Sequence, residues 1–299
     1  MIEEYRRSLK MPKAEELLDL LFYRPIAFLF VKAIYRFPIT PNQVTVLSML
    51  AGIAAGWNFS IGTRTALVWG ALWYVAANIL DCSDGQLARL QQSGTLLGRV
   101  IDGVADYVSS VAVFLGVGIG LASKDENAWW LVVFAGLSSA IHAIFFDYYQ
   151  SEFISTVRSE RSFVERETER FTDEIRQMKE KQRDGIEEFF LNLYLWYLGL
   201  QKRSSTKKQA RNFNVETYRM ENSGMIRLWS FLGPTTNRTM LISCAFFGHV
   251  EWFLWVVITV LNFWLLFCYV LQRKIHRRIA EEPREGFPTR KPPGNLRKV

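Results

Sequence analysis

Histidine and cysteine are scarce in this chain, with three of each among 299 residues. Cys82, Cys244 and Cys268 stand apart inside apolar blocks, at none of the spacings that build a zinc site. They read as small buried hydrophobes, and no disulfide framework can be drawn from them. A signal peptide is also missing from the expectation, because the stretch 1–18 carries too many charges to form its apolar core. Nothing in the pattern suggests secretion. Most telling is where charge is lacking: long apolar blocks hold scarcely any, although 22% of all residues are charged.

Those blocks alternate with stretches crowded in Lys, Arg and Glu, a segregation that a soluble domain does not show. The net charge of +7 is concentrated beside the apolar blocks, which points to a membrane surface rather than to nucleic acid. Six spanning helices are expected: 42–61, 65–90, 95–122, 128–150, 223–248 and 252–272. Each is near the roughly 20 residues that cross a hydrocarbon core. Ahead of them, 1–40 mixes Leu17, Leu18, Leu21, Phe22 and Phe28 with basic residues and is interrupted by Pro25, which predicts a helix lying in the interface. Lys and Arg gather in 1–40, in 151–222 and after Arg273, so both termini are expected on the cytosolic side. The insertion 151–222 is expected to be a charged cytosolic helix over 160–181, packed on the protein's own surface or serving as a homodimer contact. Its apolar run 189–200 is too short to span and is expected in the interface. The segment 276–299, with Pro283, Pro288, Pro292 and Pro293, reads as a disordered basic tail. The fold class is therefore an all-α integral membrane protein, divided as 1–40, 41–150, 151–222, 223–275 and 276–299.

Spans two and three hold what a membrane segment should avoid. Asp81, Cys82, Ser83, Asp84, Gly85, Gln86, Leu87, Ala88 and Arg89 run consecutively, and Gly98, Asp102 and Asp106 follow. A charge at mid-membrane costs about 2.5–3.5 kcal/mol on insertion scales, so four carboxylates need compensation. Arg89 and Arg99 supply part of it. Asp81 and Asp84 share one helix face, as do Asp102 and Asp106, by their spacings of three and four. The link 91–94 permits only an antiparallel hairpin, which brings the two pairs to one depth. An all-oxygen donor set suits Mg²⁺ or Mn²⁺, bound as one ion or two. Gly85, Ala88 and Gly98 leave room beside the carboxylates, and Arg89 is placed to hold a phosphate.

The spacing D-x2-D-G-x2-A-R-x8-G-x3-D-x3-D, complete from Asp81 to Asp106, resembles the signature of the CDP-alcohol phosphotransferases. Eight defined residues over 26 positions make the pattern specific. The resemblance covers 40–150 and 223–272 and implies a six-helix core. It implies that Asp81, Asp84, Asp102 and Asp106 ligate two metal ions, with Asp106 also the general base. Gly85, Ala88, Arg89 and Gly98 would form the nucleotide site. The implied reaction is attack of an acceptor hydroxyl on the β-phosphorus of a CDP-activated alcohol, with release of CMP.

Signals for the acceptor are weaker. Arg238 lies deep in span five, within reach of a substrate phosphate or of a carboxylate such as Asp147; Arg227 lies nearer its end, where it can snorkel. His142 in span four is either a ligand contact or a satisfied core group. Pro41, Asn42 and Thr45 open span one, as helix caps or as substrate contacts. The triplets at Asn58 and Asn237 match the glycosylation pattern but sit in or near spans. The leading expectation is phospholipid synthesis from a CDP-activated lipid, CDP-diacylglycerol, onto a small polar alcohol such as inositol phosphate or glycerol phosphate. The same-class rival is a CDP-choline or CDP-ethanolamine donor with a diacylglycerol-like acceptor. The rival of another class is a non-catalytic, ion-conducting membrane protein.

Overall fold

The computed structural model describes residues 2–9, 11–123, 125, 127–158, 168–169, 172–173 and 215–281. Among these residues the chain is helical, without strands. A short helix α1, Ile2–Ser8, is followed by an arm of turns and then a π turn, Asp19–Tyr23, that runs into α2, Arg24–Ile34. Pro25 does not interrupt this segment. It sits in the first turn of α2, where a missing N–H costs nothing.

Four long helices follow: α3 Pro41–Ile61, α4 Arg64–Gln91, α5 Leu96–Ala122 and α6 Ala128–Val157. Each of the first three starts on a side-chain cap. Thr40 accepts from the Gln43 N–H while Gln43 reaches back to the Thr40 N–H, and Thr63 and Thr95 cap α4 and α5. Between α4 and α5 the chain turns through Gln92 in the left-handed region, φ 52°. This is the hairpin expected at 91–94. Helix α3 lies along both α4 and α5. Its approach to α5 depends on glycine: a Cβ on Gly116 would fall 1.9 Å from the Gly56 carbonyl oxygen, and one on Gly56 would fall 2.3 Å from that of Ala112. Small residues let helix backbones touch where water supplies no driving force between spans.

The expected fifth span, 223–248, is not a single helix. Helix α7, Val215–Trp229, ends in a 3₁₀ turn, Ser230–Leu232, and α8, Pro234–Phe247, starts afresh. Pro234 forces the preceding Gly233 out of the helical region, to φ −67° and ψ 156°. The last span, expected over 252–272, is longer: α9 Val250–Val256 passes through a π turn, Val257–Leu261, into α10, Asn262–Glu281. Helix α10 thus continues past residue 275, where the tail was expected to begin. Five helices are long and apolar enough to cross a membrane: Pro41–Ile61, Arg64–Gln91, Gly98–Ala122, Ala128–Val157 and Val250–Ile279. They make the chain an integral membrane protein. Most of the insertion expected over 160–181, the run 189–200 and the tail after Glu281 lie outside the described residues.

Candidate active site

The site is built on the α4–α5 hairpin and closed by α3 and α8. Asp81 and Asp84 occupy the C-terminal half of α4, Asp102 the second turn of α5. One carboxylate oxygen from each lies within 4.8 Å of the others. Three hard donors so close repel one another at neutral pH and together fit a divalent cation that prefers oxygen. The donor set therefore fits Mg²⁺ or Mn²⁺.

Asp106, one turn along α5 from Asp102, stands differently. Its Oδ1 accepts from Arg238 Nη2 at 2.6 Å, while Arg238 Nη1 donates to Asp81 Oδ2 and to Asn78 Oδ1, both at 3.1 Å. A single guanidinium on α8 thus ties the two aspartate-bearing helices together. Arg238 is 9% exposed, while the Asp106 side chain that it meets is 44% exposed, so the pair is shielded from the arginine side alone. This places Arg238 against Asp81 and Asp106; of the options expected for it, a buried carboxylate is met, on a different pair of residues from Asp147.

Helix α3 contributes next. Thr45 donates its hydroxyl to Asp84 Oδ2 at 2.6 Å. The cap of α3 is Thr40 with Gln43, so capping does not account for Thr45. Asn42 lies against Gly98: a Cβ there would meet Asn42 Oδ1 at 2.9 Å. Gly85 similarly faces the Arg89 guanidinium, 3.3 Å from where its Cβ would be. Arg89 itself turns toward the amino-terminal arm, donating Nε to the Ser8 carbonyl. Ala88 lies between, on the same stretch of α4.

The remaining expected residues separate from the aspartates. Arg227 donates to the carbonyls of Glu15 and Pro12, both at 3.0 Å. His142 is fully buried, with Nε2 2.9 Å from Asn262 Oδ1, and Asn262 donates in turn to Ser138. These contacts join α6 to α10. His142 is a core group here, not part of the aspartate cleft.

Three contributors have roles that were not read from the sequence, although Thr45 was noted there as a helix cap or substrate contact. Asn78 lies one turn before Asp81 on the same face of α4, and a buried amide in an apolar helix is a signal that was available. The role of Thr45 toward Asp84 depends on a contact 39 positions distant. The third is Glu16. Its carboxylate accepts from the Thr235 N–H at 3.1 Å, the Thr236 N–H at 2.8 Å and the Thr236 hydroxyl at 2.9 Å, at the start of α8. Burial, and next the Asp19 carboxylate, push Glu16 up to about 8, against the pull of those donors. Beside it Glu15 pairs with Arg24 at 2.7 Å.

Residues 38–156 match the family described as CDP-alcohol phosphatidyltransferase. The chain is 32% identical over 141 residues to a phosphatidylinositol phosphate synthase of Mycolicibacterium smegmatis, covering 46% of this chain and 54% of that protein. It is 31% identical over 108 residues to a phosphatidylinositol phosphate synthase of Corynebacterium glutamicum, covering 36% and 42%. It is 32% identical over 104 residues to a bifunctional IPC transferase and DIPP synthase of Thermococcus kodakarensis, covering 34% and 22%. The chain thus spans about half or less of the length of these curated relatives.

Proposed function

We propose, from the match of residues 38–156 to the CDP-alcohol phosphatidyltransferase family, that the chain transfers a phosphatidyl-type group from a CDP-activated lipid to a small polar alcohol, releasing CMP. The donor proposed is CDP-diacylglycerol, and the acceptor is a phosphorylated polyol such as inositol phosphate or glycerol phosphate. One observation carries this reading: a guanidinium, Arg238, faces an acidic cleft at Asp81 and Asp106, next to the three gathered carboxylates. A cation in that position suits a phosphate entering beside a nucleotide diphosphate. Two of the relatives, both phosphatidylinositol phosphate synthases by name, agree with a phosphorylated acceptor.

In this mechanism Asp81, Asp84 and Asp102 would hold two divalent ions, with Asp106 as a further ligand. Bound there, the ions would screen the diphosphate and stabilise departing CMP. Asp106 gives one oxygen to Arg238 and uses its second to take the proton of the acceptor hydroxyl. The alcohol oxygen then bonds to the β-phosphorus as the bond from that phosphorus to the CMP oxygen breaks. Arg238 holds the acceptor phosphate, which keeps the hydroxyl in line. Gly85, Ala88 and Gly98 leave space for the nucleotide, and Arg89 supports it from the arm side. Thr45 keeps one Asp84 oxygen turned to a fixed direction.

The membrane arrangement we propose makes α7, its 3₁₀ turn and α8 together the sixth crossing, with α1 and α2 in the interface. Both termini and the acidic end of the bundle face the cytosol. The bilayer is the standing partner.

The test is a membrane assay with radiolabelled CDP-diacylglycerol, a panel of polyol and polyol-phosphate acceptors, and Mg²⁺ or Mn²⁺ added or chelated. CMP release that needs both the metal and a phosphorylated acceptor is the expected result. Release with only a diacylglycerol acceptor from CDP-choline would reverse the polarity, and no release with any pair would remove the enzymatic reading.

A further inference from the structure

Helix α8 has no cap of its own. Its N-cap residue is Gly233, which has no side chain to offer, and Pro234 occupies the first turn. The first free N–H groups of the helix, at Thr235 and Thr236, are instead met by the carboxylate of Glu16, which comes from the amino-terminal arm, 219 positions away along the chain. A carboxyl group placed there satisfies orphan donors of the helix end. The fit is built from both sides. A Cβ on Gly233 would fall 2.1 Å from Glu16 Cδ, so glycine is what lets the carboxylate reach the helix end. Glu16 is 3% exposed, and the hydroxyl of Thr236 adds a third donor to it.

Arg238 stands on the same helix, just after the capped turn. A second contact pins the helix to the arm: the Tyr23 hydroxyl lies 3.0 Å from Thr239 Oγ1, next to Arg238. The arm is in turn fastened to α4, where Gln86 donates to the Arg24 carbonyl at 3.1 Å, and to α6, where Gln150 donates to the Ala14 carbonyl at 2.7 Å.

We infer that Glu16 is a positioning residue for Arg238: by capping α8 from outside, it sets where that guanidinium meets Asp81 and Asp106. The kinetic part of the inference rests on the acceptor role proposed above for Arg238, whereas the metal-binding part does not. The experiment uses the full chain reconstituted in liposomes, as Glu16→Ala, Glu16→Gln, Arg238→Ala and the double variant Glu16→Ala/Arg238→Ala. Mn²⁺ affinity is measured without substrate by the loss of the free-ion paramagnetic resonance signal, and KM for inositol phosphate and for CDP-diacylglycerol is measured separately.

Removing Arg238 takes a positive charge from beside the carboxylates, so Mn²⁺ binding tightens and the acceptor KM rises, with the donor KM little changed. Glu16→Ala is expected to move both quantities in the same directions by a smaller factor. Glu16→Gln, whose amide oxygen still accepts from the helix end, recovers most of the change. In the Arg238→Ala background, Glu16→Ala adds nothing. An equal effect of Glu16→Ala with and without Arg238, or no effect on Mn²⁺ affinity in either background, overturns the inference. An Arg238→Ala protein with unchanged Mn²⁺ affinity overturns it as well. Arg238→Ala that tightens Mn²⁺ but leaves the acceptor KM alone removes the acceptor role and leaves the positioning role to be judged on Mn²⁺. Should Glu16→Ala fail to fold, Thr236→Val replaces it, since it deletes one donor to Glu16 and keeps the helix backbone, and the same directions are expected.

Discussion

Among the described residues two sets of carboxyl groups stand out, one partly buried and one buried. On α4 and α5, Asp81, Asp84 and Asp102 crowd within 4.8 Å, and Arg238 bridges Asp81 to Asp106. On the amino-terminal arm, Glu15 meets Arg24, Glu16 meets three donors on α8, and Asp19 accepts from the Cys82 thiol at 3.7 Å. The arm's acids are each engaged by the protein, while the hairpin's acids outnumber the guanidinium between them. Surplus negative charge is a reservation for something that binds; an acid met by the protein's own donors is a fastening. The first set should govern chemistry and the second should govern architecture.

The sharpest way to break that contrast is Asp106→Asn. It should lower kcat by about 10²–10⁴, the usual range for losing a positioned base, while thermal unfolding of the purified protein stays where it was or rises. Normal CMP release from this variant would strip Asp106 of its role. Glu15→Ala should do the reverse. Removing the ion-pair partner of buried Arg24, which then keeps only Asp19 nearby, costs up to about 3–5 kcal/mol, seen as a lowered Tm, with turnover per folded molecule preserved. A stable but inactive Glu15→Ala protein would blur the distinction between the two sets. Thr45→Val sits on the chemical side: loss of the hydrogen bond to Asp84 should weaken Mn²⁺ binding by about 10–100-fold, read by titration, with little change in Tm.

The smallest effect is a slope with pH. Glu16 titrates at about 8 in the fold, against about 4.3 for an unfolded glutamate. The folded state therefore holds a proton that the unfolded chain has lost, and stability falls as pH rises from about 4.3 to 8, then levels. Below that window the contribution is complete. Burial raises Asp19 in the same direction. Glu16→Gln should flatten the Tm-against-pH curve across this window; an unchanged slope would mean that Glu16 is ionised throughout.

The hairpin was legible in the sequence because its meaning is local. Spacings of three and four set each aspartate pair on one helix face, and a four-residue link left one way to fold back. The apolar blocks that became α3 to α6 were legible for the same reason. What escaped was whatever depends on distant partners. Arg227 looked like a candidate ligand, yet it fastens to Pro12 and Glu15 carbonyls, 215 and 212 positions away. Asn78 gained its importance only from Arg238, 160 positions on. The break between α7 and α8 was a different failure: Gly233 and Pro234 were visible, but the apolar run around them outweighed a local stop signal that proved decisive. Sequence separation hid the arm altogether, since nothing near Glu16 hints at a helix end in need of a cap.

That cap carries a consequence for how the protein is made. Residue 16 leaves the ribosome long before residue 235, so the arm must wait, without its partner, while four apolar helices enter the bilayer. Only when α8 arrives can Arg238 settle between Asp81 and Asp106. Synthesis that halts before that point leaves a membrane-inserted chain bearing every residue of the aspartate signature and no finished cleft, which ties completion of the cleft to the arrival of α8.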